Sequence, residues 1–228
     1  MSDDPLEALY PFLHDRGKDP ARENEALLES VRHKAHHSLD VKKAFFDANG
    51  QALVEAANTL ADCYRRGGKL LSMGNGGSSC DAAHVAVEFQ HPVTAGRPSL
   101  PAFNLVNDQA FFSAVANDVG VTHVFARQIE AHAQSNDCLI GFSTSGNSAN
   151  LIAGFRKADE LGIASIGFSG GDGGEMKSCG LLTHCLVVET DSIHRVQETH
   201  VTCYHILWDL THTLLADSRG KPAAGNNT

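Results

Sequence analysis

From Lys69 onward, short apolar runs alternate with segments whose apolar residues recur at helical spacing. The apolar runs predict five β-strands at 69–73, 101–106, 137–142, 163–168 and 184–188. The periodic segments predict helices at 79–90, 109–118, 122–134 and 147–161, with a short turn near 175–178. Near-continuous apolar strands that alternate with helices indicate a parallel sheet covered on both faces, which is an α/β fold of the three-layer αβα type.

The order of the strands determines where a ligand would bind. The flavodoxin-like order 2-1-3-4-5 reverses direction between the strands predicted at 69–73 and 137–142. In such sheets, ligands occupy the crevice outside the carboxyl ends of the strands at this reversal. We therefore expect the functional site at the loops that follow these two strands.

Helical patterns precede and follow the α/β segment. Residues 6–13 form a short apolar-periodic segment, and after an interruption at 17–20 two helices are predicted at about 22–37 and 39–66. The apolar stripe of the second helix must be buried on the domain or on a second copy of the chain. One long helix is predicted near the other end, at about 192–217.

These patterns divide the chain into three parts. Residues 1–66 are expected to form an N-terminal helical segment with a role in oligomerisation. Residues 67–217 form the α/β domain, and residues 218–228 are expected to be a disordered tail.

Two loops rich in glycine and hydroxyl groups follow the first and third predicted strands. Gly74-Asn75-Gly76-Gly77-Ser78-Ser79 precedes one helix, and Ser143-Thr144-Ser145-Gly146-Asn147-Ser148 precedes another. Such a turn at a helix N-terminus presents backbone N–H groups to an anion. Taken singly, each loop would more often be an ordinary tight turn or helix cap. Two of them in one small sheet predict a single phosphorylated ligand held between them.

Neither loop matches a nucleotide-binding motif. No Gly-Lys-Ser or Gly-Lys-Thr follows them, and neither has the Gly-x-Gly-x-x-Gly pattern with a downstream acidic residue. The predicted ligand is therefore a sugar phosphate rather than a nucleotide.

Composition and charge narrow the class of protein. The chain has 228 residues with 42% hydrophobic content, which is enough for one substantial domain. A formal charge of -9 argues against nucleic acid as a partner, because phosphate backbones require clustered Lys and Arg. The six cysteines show no C-x-x-C spacing, as expected in a reducing cytoplasm. No apolar run reaches the length of a membrane span and the acidic N-terminus is unlike a signal peptide, so we expect a cytoplasmic protein without a membrane partner.

Two polar residues on the helix after the glycine loop are candidates for chemistry. His84 and Glu88 are four positions apart, so both side chains point to the same side of that helix. This spacing suits a shared metal ion or an acid-base pair. The alternative is a surface pair of a histidine and a glutamate, which is the commoner meaning of an isolated His-x-x-x-Glu.

The final predicted helix also places polar residues among apolar ones. Gln197 and His205 differ by eight positions, so they lie roughly 80° apart in azimuth and about 12 Å apart along the axis. One straight helix cannot easily offer both side chains to one ion. The alternative interpretation makes His200, His205 and His212 polar-face histidines or hydrogen-bonded histidines of the core.

Several stretches together carry a resemblance to a known family. They are residues 74–84, Glu88, 116–118, 143–150, 171–174 and 197–205. In this combination, which spans about residues 40–215, the chain resembles the sedoheptulose 7-phosphate isomerases, or phosphoheptose isomerases, of the sugar isomerase (SIS) domain proteins. The resemblance implies a SIS domain at 67–217 and a homotetramer with sites at subunit contacts.

The resemblance also implies a role for each matching residue. Substrate contacts would come from Asn75, Gly76, Gly77, Ser78, Glu88, Asn117, Asp118, Ser143, Thr144, Ser145, Ser148 and Gln197. One Zn²⁺ per subunit would be held by His84, Glu88, Gln197 and His205. Glu88 and His205 would be the catalytic pair. Because of the 12 Å separation on the final helix, His205 could come from a neighbouring subunit.

These residue types fit an aldose-ketose isomerase. A carboxylate, Glu88, would move a proton between two sugar carbons while an acid, His205, serves the oxygens. A divalent ion or aligned N–H groups would stabilise the ene-diolate. The resemblance implies that the reaction converts sedoheptulose 7-phosphate to D-glycero-D-manno-heptose 7-phosphate, in heptose synthesis for cell-surface polysaccharide such as lipopolysaccharide.

Two other functions stay open at this point. The family usually has an Arg-rich segment after the first site helix and an aspartate three residues before the glutamine, whereas this chain has residues 91–97 and His194. These departures leave open the isomerisation or binding of a different sugar phosphate. The rival from another class is a non-catalytic SIS protein that binds the replication initiator. Such relatives resemble the chain in its loops but lack the pair that is present here as Glu88 and His205.

Overall fold

The structure is a computed structural model that describes residues 20–219 of the chain. The segment predicted at 6–13 and most of the predicted tail lie outside the described residues. The chain divides into two compact units, Met1–Asp40 and Val41–Thr228. The division falls at residue 40, whereas the sequence pattern placed a boundary at 66.

Five parallel strands form the sheet, as predicted. They are β1 (Leu70–Gly74), β2 (Ala102–Asn104), β3 (Cys138–Ser143), β4 (Ala164–Gly170) and β5 (His184–Val188). The order β2-β1-β3-β4-β5 confirms the predicted order 2-1-3-4-5. Leu71 pairs with Leu139 and Gly74 with Phe142, so β1 and β3 end side by side. The two predicted loops therefore leave the same edge of the sheet.

Helices connect the strands close to the predicted positions. They are α2 (Gly77–Gln90), α3 (Gln109–Asp118), α4 (Val124–His132), α5 (Ala149–Glu160), the short α6 (Gly174–Ser178) and α7 (Ile193–Arg219). The helix predicted at 122–134 is instead a 3₁₀ turn, Val121–His123, followed by α4. Together with α1 (Pro20–Arg65), which precedes the sheet, these are the α-helices of the described residues.

The N-terminal helical region differs from the prediction. The sequence predicted two helices, at about 22–37 and 39–66, but the structure has one helix, α1 (Pro20–Arg65). Ser38 resembles an N-cap in sequence, yet no glycine or proline stands near it to end a helix. Within the first unit, Leu27, Leu28, Val31 and Leu39 are exposed.

The second unit has an apolar core on each face of its sheet. One core joins Leu53, Ala56 and Leu60 of α1 to the strands, α2 and α7. The other core contains Met73 and Phe155 together with α4 residues such as Ile129. The central strands β1, β3 and β4 are thus covered on both sides, which explains their continuous apolar sequences, whereas β2 exposes Phe103. Among the residues described, no helix combines the length and apolarity needed to cross a membrane.

Candidate active site

The glycine loop joins β1 to α2 and is tied to the second loop by an amide pair. The Asn75 side chain donates to Asn150 Oδ1 at 2.8 Å, and the Asn150 side chain donates to Asn75 Oδ1 at 2.9 Å. Asn150 is buried in the first turn of α5, which follows the second loop. The reciprocal pair therefore fixes the separation of the two loops at the carboxyl edge of the sheet.

The loop after β3 has its hydroxyl groups arranged by internal hydrogen bonds. Ser143 Oγ and Ser148 Oγ are 3.0 Å apart, and the backbone N–H of Gly146 donates to Ser143 Oγ at 3.2 Å. Ser145 is exposed, and Ser148 is the N-cap residue of α5. The backbone N–H groups at the start of a helix and the positive end of its dipole favour an anion at this position. We call residues 143–148 the hydroxyl loop.

A cluster of three candidate residues lies beyond the glycine loop. His84 and Glu88 of α2 and His205 of α7 each offer a ligand atom, and these atoms lie within 4.8 Å of one another. His84 Nε2 is 3.1 Å from Glu88 Oε1, and the rings of His84 and His205 have centroids 5.1 Å apart. The surface-pair interpretation of His84 and Glu88 is therefore insufficient, because a third ionisable group from a distant part of the sequence joins them. All three belong to one chain, so the cluster forms without a His205 from a neighbouring subunit.

Helices α2 and α7 lie side by side, and the residues that contact each other are separated by a constant number of positions in the sequence. The Gln197 side chain occupies the space that a Cβ on Gly77 would fill. The Tyr204 hydroxyl is 2.7 Å from His84 Nδ1, and Trp208 Nε1 donates to the backbone oxygen of Glu88 at 2.8 Å. Each of these pairs is 120 residues apart, so α7 runs parallel to α2 and contacts it along its length.

Tyr204 and Trp208 were not among the predicted site residues. Tyr204 is 1% exposed, and its ring meets those of Phe142 and His205 edge to face. Trp208 is buried one turn further along α7, beneath Arg97. The apolar sequence around Tyr204 and Trp208 indicates only that both are aromatic residues of the core. Sequence alone gave no signal for them, because their spacing from Gln197 matches that of His84 and Glu88 from Gly77 only once Gln197 is known to contact Gly77.

Burial also sets the charge states around the cluster. Burial raises the pKa of Asp81 to about 6, while the nearby His84 lowers it. Burial and the neighbouring His84 lower the pKa of His205, and Glu88 raises it. Burial raises the pKa of Tyr204, and the carboxylates of Asp81 and Glu88 add to that effect. His205 is therefore a neutral imidazole near neutral pH, and Tyr204 keeps its proton.

The other predicted site residues lie at varying distances from the cluster. Gln197 contacts the first residue of α2, seven positions before His84, which is about 10 Å along the helix axis. Asn117 and Asp118 end α3, where both are exposed and hydrogen bonded to each other at 2.8 Å. Their contacts with substrate stay predictions.

The three clustered side chains fit a divalent metal ion. Imidazole nitrogens and a carboxylate oxygen are ligands that divalent transition metals accept. In this chain they are half-buried on α2 and exposed on α7, so an ion could reach them from solvent. Glu88 can also act as a base from this position, because its carboxylate reaches into the space between the two helices.

His200 gives a test of how burial affects stability. Its side chain is fully buried, its Nε2 donates to the backbone oxygen of Ser169 at 3.2 Å, and burial lowers its pKa from 6.5 to about 4. As the pH falls below 6.5, the His200 ring is protonated in the unfolded chain before it is protonated in the folded chain. The stability that the neutral ring provides is therefore lost between about pH 6.5 and 4. Asp81 acts in the opposite direction, because its folded pKa of about 6 lies above the unfolded value of 3.8.

We expect His200→Gln to reduce the loss of stability in acid. Glutamine keeps a donor for Ser169 and does not titrate. Between pH 7 and 4.5, the free energy of unfolding should fall by about 2 to 3 kcal/mol less in the variant than in the wild type. Urea unfolding of the metal-free proteins at both pH values measures the difference. Equal losses in the two proteins would show that His200 does not contribute to acid sensitivity.

The chain is similar to known proteins in both sequence and structure. The profile of a family described as SIS domain matches residues 35–170. A phosphoheptose isomerase from Desulfovibrio desulfuricans is 39% identical over 196 residues, which are 86% of this chain and 92% of that protein. The structure of phosphoheptose isomerase GmhA from Neisseria gonorrhoeae has a TM-score of 0.76 and 33% identity, over 82% of this chain and 99% of that one. The structure of a phosphoheptose isomerase from Francisella tularensis has a TM-score of 0.77 and 31% identity, over 82% of this chain and 98% of that one.

Proposed function

The chain belongs to the phosphoheptose isomerases of the SIS domain family, and from this premise we propose that it converts sedoheptulose 7-phosphate to D-glycero-D-manno-heptose 7-phosphate. The observation that carries the proposal is the cluster of His84, Glu88 and His205, within 4.8 Å in one chain. A protein that only binds a sugar phosphate needs the two loops but has no use for a carboxylate and two imidazoles beside them. The isomerase reaction uses all three.

Glu88 is the proposed base. It would take the proton from C1 of the open-chain ketose and return it to C2, through an ene-diolate. His84 Nε2 at 3.1 Å and the bond from Trp208 to the Glu88 backbone hold this residue from two sides. A carboxylate held in this way can face both carbons without a large movement.

His205 is the proposed acid. Its ring lies 5.1 Å from that of His84 between ring centroids, on the face of α7 that meets α2. A neutral imidazole can donate its N–H to an oxygen whose charge increases as the proton leaves carbon. His205 would therefore serve the two oxygens while Glu88 serves the two carbons.

We propose Zn²⁺ as the bound metal, one per subunit. His84, Glu88 and His205 would hold it, with Gln197 as a fourth ligand that must move from its contact with Gly77. A divalent ion at this position supplies positive charge to the oxygens of the ene-diolate. The assignment is tested by measuring the zinc content of the purified protein. The variant His84→Ala should contain no bound zinc.

We also propose a homotetramer with sites at subunit contacts. Asn117 and Asp118 are exposed at the end of α3, and the first unit exposes Leu27, Val31 and Leu39 along α1. Exposed apolar residues at helical spacing are typical of a helix that packs on a second copy. Asn117 and Asp118 would then complete the site of a neighbouring subunit.

The proposed substrate can be tested with a panel of ketose phosphates. Purified protein is mixed with ketose 7-, 6- and 5-phosphates, and the formation of aldose product is measured. The proposal is supported if sedoheptulose 7-phosphate is turned over and the shorter ketose phosphates are not. Turnover of a shorter sugar would change the substrate, and binding without any turnover would favour the non-catalytic alternative.

A prediction follows for the hydroxyl loop, which we propose holds the phosphate. Replacing Ser145 and Ser148 by alanine should raise the KM for the sugar phosphate at least ~10-fold, because two charge-assisted hydrogen bonds are lost. The kcat should change little. Steady-state kinetics and inhibition by inorganic phosphate measure both effects. Ser113→Ala, on an exposed face of α3, is the control. A change in kcat alone would assign the loop another role.

A further inference from the structure

Tyr204 contacts the cluster at the ring nitrogen of His84 that faces away from Glu88. Its hydroxyl oxygen is 2.7 Å from His84 Nδ1, while His84 Nε2 is 3.1 Å from Glu88 Oε1. Both nitrogens of this imidazole are thus occupied, one on each side. The orientation of the ring is defined by these two contacts.

The rest of Tyr204 is held rigidly. The side chain is 1% exposed and belongs to the apolar core between the sheet, α2 and α7. Its ring meets His84, His205 and Phe142 at centroid distances of 5.3, 4.8 and 5.8 Å. A buried phenol with this packing has few other positions, so its hydroxyl is a fixed reference point for His84.

A hydroxyl suits both protonation patterns of a neutral imidazole. Without a metal ion, the carboxylate of Glu88 favours a proton on His84 Nε2, and Nδ1 then accepts a hydrogen bond from the Tyr204 O–H. If Nε2 were to hold a metal ion, the proton would lie on Nδ1, and the Tyr204 oxygen would accept a hydrogen bond from it. Rotation of the O–H bond is the only change that Tyr204 must make.

We propose that Tyr204 is the positioning residue of His84 and holds its ring for the metal ion in both protonation patterns. Tyr204 contacts neither the substrate nor the ion in this role. The inference rests on the proposed function in one respect, namely that His84 binds a metal ion. It adds a residue of this chain that controls how well the ion is held.

The variant Tyr204→Phe tests the proposal, because it removes the oxygen and keeps the packing of the ring. The affinity of the metal-free protein for Zn²⁺, measured by competition with a chromophoric chelator, should fall at least ~10-fold. With saturating Zn²⁺, kcat should fall while the KM for the sugar phosphate stays within about twofold. The ¹⁵N resonance of His84 Nδ1 in the metal-free protein should shift, because its hydrogen-bond partner is gone.

The matched control is Tyr64→Phe. Tyr64 is a partly buried tyrosine that packs against the same core, and its buried hydroxyl makes no hydrogen bond within the described residues. This variant should match the wild type in Zn²⁺ affinity and in the His84 resonance. Any general effect of removing a phenolic oxygen from the core would appear in both variants.

The outcomes separate this proposal from the proposed function. Weaker Zn²⁺ binding and a shifted Nδ1 resonance in Tyr204→Phe support the role of Tyr204 even if sedoheptulose 7-phosphate is not turned over. Wild-type Zn²⁺ affinity and an unchanged Nδ1 resonance in Tyr204→Phe would overturn it, even in an active isomerase. A wild type that binds no Zn²⁺ would overturn it as well, whatever the Nδ1 resonance shows, because the ion for which Tyr204 holds the ring would be absent.

Discussion

Glu88→Gln is expected to reduce kcat at least ~10²-fold, which is the lower range for loss of a general base. The amide has the shape of the carboxylate, and it can still accept a hydrogen bond from His84 at 3.1 Å. It cannot take a proton from carbon, so the ene-diolate would not form. The backbone bond from Trp208 to Glu88 does not involve the side chain and should hold the helix as before.

Three measurements show whether the loss is chemical. Steady-state kinetics give kcat, inhibition by inorganic phosphate reports the hydroxyl loop, and zinc content reports the cluster. Phosphate inhibition should be unchanged. The zinc content of the variant shows how much the Glu88 carboxylate contributes to metal binding. Glu25→Gln, at an exposed position of α1, is the control and should have wild-type kcat. A Glu88→Gln enzyme with near wild-type turnover would remove Glu88 from the mechanism.

The sheet was predictable from sequence because its central strands are short and buried on both faces. β1 and β3 are buried at every position, so apolar runs marked them within one residue of their ends. Their adjacency followed from the βαβ connectivity of the chain, which also placed the two loops at one edge of the sheet. The continuity of α1 was not predictable, since Ser38 is compatible with both a cap and a helix interior.

The candidate site was predictable only in part. His84 and Glu88 are four residues apart, so local helix geometry was sufficient to place them together. The addition of His205 depends on how α7 packs on α2, and periodicity within one helix carries no such information. Only the family resemblance grouped His205 with His84 and Glu88 before the structure did so. The same limit hid Tyr204 and Trp208, whose polar atoms face α2 while their rings belong to the core.

The hydroxyl loop leads to the prediction with the largest expected effect on folding, Gly146→Ala. Gly146 has a φ of +67°, and a Cβ there would clash with the backbone oxygen of Gly173. The Gly146 oxygen also accepts a bond from the Met176 N–H at 2.9 Å. Alanine must therefore adopt a left-handed conformation and push the loop after β4 away. We expect the free energy of unfolding to fall by about 3 kcal/mol or more, from strain plus lost hydrogen bonds.

Gly162→Ala separates backbone strain from this close approach. Gly162 has nearly the same φ, +69°, but a Cβ there would meet nothing within 4 Å. It should cost only the strain of the left-handed conformation, about 1 to 2 kcal/mol. Urea unfolding compares the two variants, and only Gly146→Ala should also weaken inhibition by inorganic phosphate, because only it displaces the hydroxyl loop. Equal losses of stability with unchanged phosphate inhibition would mean that the contact between Gly146 and Gly173 does not shape the anion site.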